Sequence, residues 1–215
     1  MEILRIDPEN PDLTAVRRAA AELRAGGLVI FPTETVYGLA ADALNEDAVR
    51  LAYEAKGRPE GQPLPVQIAD VEQLNMVAAG LPEPAEKLME KYFPGPLTIV
   101  LPRSAVLPEL VTAGRPSVGV RMPDHPVALA LIRETGGPII ATSANMSGKP
   151  EPKTAEEATA YLGRKVGVII DSGPARFGAP STVVDVTVTP PRIIRAGAVP
   201  VQELRDLIGE VSVNG

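Results

Sequence analysis

Residues 13–39 read LTAVRRAAAELRAGGLVIFPTETVYGL, and this stretch decides the fold class. Leu13, Val16, Ala20 and Leu23 recur at helical spacing until Gly26-Gly27, a natural stop because glycine accepts the backbone conformations that end a helix. Leu28-Val29-Ile30-Phe31 then forms a short, unbroken apolar run closed by Pro32, which reads as a buried strand. A helix, a glycine stop, a buried strand and a polar turn in succession predict helices packed on a sheet.

The same pattern extends outward. Upstream, Ile3 to Ile6 predicts a strand. Downstream, Asn45 caps a helix whose apolar face is Ala48, Leu51, Ala52 and Ala55 and which stops at Gly57. Leu64 to Ile68 returns to strand, Asp70 caps a short helix, and Pro84 to Tyr92 is another. Leu97 to Leu101, Val118 to Val120 and Pro138 to Ala141 read as buried strands, with a helix over Pro126 to Arg133. Thr154-Ala155-Glu156-Glu157 has capping-box spacing. Strands over Val168 to Ile170, Val183 to Val186 and Arg192 to Arg195 precede a helix over Val201 to Leu207. This alternation predicts an α/β fold with a mixed sheet, and the lack of repeats or a long linker predicts a single domain over residues 1–215.

Composition narrows the function. At 215 residues and 22.6 kDa the chain can bury a core without staples. With no cysteine, disulfides, thiolate metal sites and a Cys nucleophile are excluded, in keeping with a reducing cytoplasm. The net charge of −6 argues against an extended basic face for nucleic acid. Residues 1–91 carry 9 basic and 16 acidic groups, residues 92–215 carry 12 and 11, so the later part suits anions better. No run approaches the ~20 apolar residues that cross a bilayer, and no membrane role is expected. The 23 prolines are about twice the usual share and predict stiff loops.

Several chemistries drop out by inspection. Gly148-Lys149 is followed by Pro150 and position 143 is Ser143, so there is no P-loop, and no glycine fingerprint for a dinucleotide follows a strand. His125, the single histidine, reads as a solvated residue at a helix entrance. Three polar clusters remain. Pro32 to Leu39 carries Thr35 as a hydrogen-bonding group, or is an ordinary turn with Glu34 and Thr35 as local caps. Lys56-Gly57-Arg58-Pro59 sets two cations where they can share polyphosphate oxygens, or complement the negative end of the preceding helix. Thr142 to Lys149 offers hydroxyls, an amide and backbone N–H groups as an anion nest, or is a turn before the next helix. Arg121 and Arg195 each end an apolar strand, where a buried cation needs either a ligand anion or a structural partner. Together these groups describe a cavity for a nucleotide and a small zwitterion.

At these residues the chain resembles the YrdC/Sua5 family of threonylcarbamoyl-AMP synthases. The resemblance is carried in order by Pro32 to Leu39, Lys56-Gly57-Arg58-Pro59, Phe93-Pro94-Gly95-Pro96-Leu97-Thr98, Val118 to Pro123, Thr142 to Gly148 and Pro180 to Asp185, and it spans about residues 13–199. It implies an open, twisted sheet around a positively charged cavity. It also implies the conversion of L-threonine, bicarbonate or CO2, and ATP to L-threonylcarbamoyladenylate and pyrophosphate, for modification of tRNA position 37 by other proteins. Carried over by residue, threonine would meet Thr35, Gln67, Arg121, Ser181 and the backbone around Ala141, with Arg121 facing its carboxylate. ATP would meet Lys56, Arg58, Gln62, Ser117, Ser143, Asn145, Glu151 and Arg195, with Lys56, Arg58, Ser143 and Asn145 as the catalytic set. Gln62 and Gln67 stand where the family commonly has Asn and His. Mg2+ is expected through the phosphates, without a protein-built metal site. Longer members add a C-terminal domain over the active site, so this chain reads as the short form.

Two other functions share these features. The same module occurs in hydrogenase-maturation carbamoyltransferases, which are longer and carry cysteine-rich zinc motifs that this chain lacks. A cationic concavity also suits an RNA-binding or ribosome-assembly module, against which the acidic balance speaks, leaving at most a weak tRNA contact.

Overall fold

The computed structural model describes residues 1–213. In chain order the elements are β1 (Glu2–Arg5), α1 (Leu13–Arg24), β2 (Val29–Phe31), β3 (Gly38–Asp42), α2 (Glu46–Lys56), β4 (Val66–Gln67), α3 (Val71–Val77), α4 (Glu83–Tyr92), β5 (Leu97–Pro102), α5 (Glu109–Thr112), β6 (Ser117–Arg121), α6 (Pro126–Thr135), β7 (Ile139–Ser143), α7 (Ala155–Leu162), β8 (Val168–Asp171), β9 (Thr182–Asp185), β10 (Arg192–Arg195), α8 (Val201–Ile208) and β11 (Ser212–Val213). The strands form one 11-stranded sheet among the described residues, in the order β1-β8-β2-β3-β7-β4-β6-β5-β9-β10-β11. Pairing is mixed: β2 runs parallel to β8 and antiparallel to β3, while β4 runs parallel to β6 and antiparallel to β7. The α/β class and mixed sheet match the sequence expectation.

Both faces of the sheet are covered, which is why its central strands are continuous apolar runs. Side chains alternate across a strand, so Val29 and Phe31 face α1 and α6, while Ile30 faces the layer that contains α2, α3, α4 and α7. Helix caps follow the sequence. The Asn45 carboxamide accepts from the N–H groups of Asp47 and Ala48, Asp70 from that of Gln73, and Thr154 from that of Glu157.

Several boundaries differ from the sequence reading. Strand β3 begins within a stretch whose residues predict a polar turn. Its Gly38-Leu39-Ala40-Ala41 has weak strand preference, but pairing with β2 on one side and β7 on the other satisfies its backbone. Gly38 is required there, since a Cβ would lie 2.6 Å from Cε1 of Phe31. Leu51, expected on the buried face of α2, is 40% exposed; the helix instead buries Val49, Tyr53 and Lys56 beside its alanines. The strand expected over Leu64 to Ile68 pairs only at Val66–Gln67, between residues interrupted by Pro63 and Pro65.

Gly57 ends α2 in the left-handed region at φ 59°, and this sharp stop sets Lys56 and Arg58 on either side of the turn. Replacing Gly57 with Ala is expected to lower unfolding free energy by about 1–2 kcal/mol, the ordinary cost of a side chain in that conformation. Urea denaturation measures it, and an unchanged midpoint would refute it.

Candidate active site

Both edges of the sheet contribute functional groups. Because the sheet is mixed, the ends of β4, β6 and β10 lie at one edge with the starts of β5 and β9, while the start of β3 and the end of β7 meet at the other. Gly38 pairs with Ser143, and Gln67 with Arg121, so segments distant in sequence arrive side by side. Between them opens a cavity of about 570 Å³, within the usual range for small-molecule sites.

Eleven of the thirteen residues expected from sequence line it: Thr35, Lys56, Arg58, Gln67, Arg121, Ala141, Ser143, Asn145, Glu151, Ser181 and Arg195. Two do not. Ser117 begins β6 whereas Arg121 ends it, four residue steps or roughly 13 Å along the strand. Gln62 is exposed beside the cavity, and its main-chain carbonyl accepts from Nε of Arg58 at 3.2 Å. Neither side chain lines the cavity. The cavity also gains Lys149, at the end of the third polar cluster, together with Thr33 and Thr98. Thr98 closes the Phe93-to-Thr98 motif, and that position was its only sequence signal.

Lys56 is 2% exposed. Its Nζ donates to the carbonyls of Ser143 and Asn145 and to Oδ1 of Asn145, the last two at 2.8 and 3.1 Å. The Ser143 hydroxyl donates to the same Oδ1 at 2.7 Å, and Nδ2 of Asn145 donates to the carbonyl of Lys149. The 143–149 turn is thus built around the ammonium. Burial lowers the Lys56 pKa to about 8, with Arg58 adding to the shift and Glu151 opposing it.

Arg58 donates through Nη2 to the carbonyl of Pro63 at 2.9 Å. Nε and Nη2 of Arg195 donate to the Ser181 carbonyl at 3.1 and 2.8 Å, and Nη2 also reaches the Ser181 hydroxyl, which lies 2.8 Å from that of Thr98. Arg195 is surface-exposed, so the expectation of a buried strand-end cation holds for Arg121, 6% exposed, but not for Arg195. Partial desolvation lowers the Arg195 pKa, with Glu151 opposing and Arg121 and Arg58 reinforcing the shift. The wall carries five cations, Lys56, Arg58, Arg121, Lys149 and Arg195, against one carboxylate, Glu151. Such an imbalance suits a polyanion.

In the first cluster Thr33, rather than Glu34 or Thr35, ties the turn: its hydroxyl accepts from the N–H groups of Thr35 and Val36 and donates to the Val36 carbonyl. His125 stands at the entrance of α6, as expected, but is half-buried rather than fully solvated. Its Nδ1 is buried without a partner, and desolvation lowers its pKa against the opposing charges of Glu34 and Asp124, with Arg176 adding to the lowering. It lies outside the cavity wall.

A family model for Sua5, YciO and YrdC proteins, described as Telomere recombination, matches residues 21–197. The chain belongs to the Sua5/YciO/YrdC family. It is similar to the threonylcarbamoyl-AMP synthase of Pyrococcus abyssi, 49% identical over 199 residues that cover 93% of this chain and 58% of that protein. The corresponding Bacillus subtilis synthase is 48% identical over 200 residues, covering 93% and 58%. The solved structure of P. abyssi Sua5 complexed with L-threonine superposes with a TM-score of 0.97 at 46% identity, covering 100% of this chain and 63% of that one. The chain thus spans less than two thirds of the length of these Sua5 relatives.

Lys56 supplies a pH prediction. Its folded pKa near 8 lies below the ordinary lysine value of 10.5, so folding disfavours its charged form. Stability is therefore expected to gain from this group as pH rises between those two values, where only the unfolded chain keeps the proton. NMR of the lysine side chains is expected to find one ammonium titrating near pH 8, and the signal is lost in Lys56→Met. A Lys56 that titrates with the exposed lysines would refute this.

Proposed function

We propose that the chain is an L-threonylcarbamoyladenylate synthase, a nucleotidyltransferase that makes threonylcarbamoyl-AMP and pyrophosphate from L-threonine, bicarbonate or CO2, and ATP. The observation that carries this reading is the convergence of five cations with neutral hydroxyl and amide groups on one cavity, in a chain whose relatives are named for that reaction. The sheet and its helices act as one catalytic unit.

In this reading Arg121 faces the threonine carboxylate, while Thr35, Ser181, Gln67 and the backbone around Ala141 meet its remaining polar groups. Oε1 of Gln67, buried without a hydrogen-bond partner at the cavity wall, supports a ligand donor there. Arg58 and Arg195 neutralise phosphate charge, Lys56 adds its charge while holding Ser143 and Asn145 in place, and Glu151 lies toward the nucleoside. Gln62 and Ser117, expected on the ATP side, stand outside the cavity wall.

The threonine amine adds to CO2 and loses a proton, and a carbamate oxygen then attacks the α-phosphorus in line as pyrophosphate leaves. The protein's work is positioning and charge neutralisation, so the reaction needs no histidine in the cavity. Mg2+ enters with ATP as part of the substrate. An ion brought in this way is carried mainly by phosphate oxygens and water. The adenylate then passes to cytoplasmic proteins that transfer the threonylcarbamoyl group to tRNA.

Pyrophosphate release by the purified chain is expected only when threonine, bicarbonate and Mg-ATP are all present. Background release with all three would end the synthase reading. Arg58→Ala and Lys56→Ala are each expected to lower turnover by at least about 100-fold, as loss of one preorganised electrostatic group does, with circular dichroism unchanged. Wild-type rates in both would refute the assignment.

A further inference from the structure

Glu34 is a buried carboxylate, 2% exposed, that the reaction as described leaves without a task. Its Oε1 lies 2.7 Å from Nη2 of Arg121, an ion pair whose side chains are 2% and 7% exposed. Nε of the same guanidinium donates to the carbonyl of Gly95 at 3.1 Å. Nε and Nη2 form one edge of the planar guanidinium, so Gly95 and Glu34 occupy that edge together. Nη1 has no protein hydrogen-bond partner among the described residues, and Arg121 lines the cavity whereas Glu34 does not. Nη2 is itself buried, so the donor left for a ligand carboxylate is Nη1.

The carboxylate is itself held in place. The Thr33 hydroxyl braces the turn on either side of it, and the Glu34 carbonyl accepts from the N–H of Phe177 at 2.8 Å. Among the described residues neither carboxylate oxygen has a hydrogen-bond partner, and Arg121 is its ion-pair partner, with His125 feeling its charge as well. A buried ion pair is a weak way to stabilise a fold, because desolvation offsets most of the attraction. It is a good way to fix the direction of a long, flexible cation.

We infer that Glu34 is a positioning residue that aims Arg121 at the carboxylate of the amino-acid substrate, an inference that rests on the synthase reading. Threonine binding by calorimetry and pyrophosphate-release kinetics test it in wild type, Glu34→Gln, Glu34→Asp, Arg121→Ala and the Glu34→Gln/Arg121→Ala double variant. Glu34→Asp keeps the buried charge, and with it the fold, but falls one methylene short of the guanidinium. A charge-balancing role would therefore be rescued by Asp, whereas an aiming role would not.

Both Glu34 variants are expected to raise the threonine KM about tenfold or more while the ATP KM stays within about twofold, in line with the rate sensitivity of ångström-scale misplacement. In the Arg121→Ala background, Glu34→Gln is expected to add nothing, because its effect runs through the missing arginine. Should Glu34→Gln fail to fold, Glu34→Asp decides. A threonine KM near wild type in Glu34→Asp, a parallel rise for ATP, or additive losses in the double variant would each overturn the inference. If wild type binds threonine and the variants bind it equally, this inference alone falls; if wild type binds none, the synthase reading falls with it.

Discussion

The Nζ of Lys56 sits at the last turn of α2, almost fully buried, with three acceptors from Ser143 and Asn145 around its three protons. An ammonium removed from water is costly unless its hydrogen bonds are replaced, and here the 143–149 turn replaces them. The tie runs both ways, because the Lys56 carbonyl accepts from the N–H of Ser147 at 3.0 Å. The end of α2 and the end of β7 are thereby locked together. Arg58, one turn beyond, and Asn145, inside the loop, take their places from that lock.

Around it, the mixed sheet supplies the remaining groups. In an all-parallel sheet one edge would hold only strand ends, whereas here starts and ends alternate along the same edge. That arrangement brings Thr98 and Ser181, which lie at strand starts, to Arg121 and Arg195, which lie at strand ends. Among the described residues, eight of the fourteen buried polar side chains also line the cavity. Polar groups placed where they are hard to satisfy concentrate where a ligand can satisfy them.

Net charge and local charge part company in this molecule. The chain as a whole is acidic at −6, yet its cavity wall holds five cations and one carboxylate. An acidic exterior with a cationic cavity selects small anions without an extended basic face for nucleic acid. Proline takes a related role: Pro65, Pro150 and Pro180 stand in the wall itself. Their fixed φ leaves less freedom to lose when substrates are ordered.

The helices, their caps and the buried strands were legible in the residues because each depends on neighbours a few positions away. Asn45 caps α2 through N–H groups two and three residues on, and Gly57 ends it through its own backbone freedom. The three polar clusters were legible for the same reason, and most of their residues do meet in the cavity. Local pattern could not settle pairings across the sheet. Gly38 to Asp42 becomes a strand only because β2 and β7 flank it, and Leu51 is left outside because the packed face of α2 turns toward β3. Ser117, at the start of β6, stands outside the cavity wall, whereas Arg121 at the end of the same strand lines it. Arg121 and Glu34, 87 positions apart in sequence, become partners only when the sheet register is set. Periodicity, capping and local chemistry are written in short stretches of chain; register, and with it the partner of each buried charge, exists only once the strands are aligned.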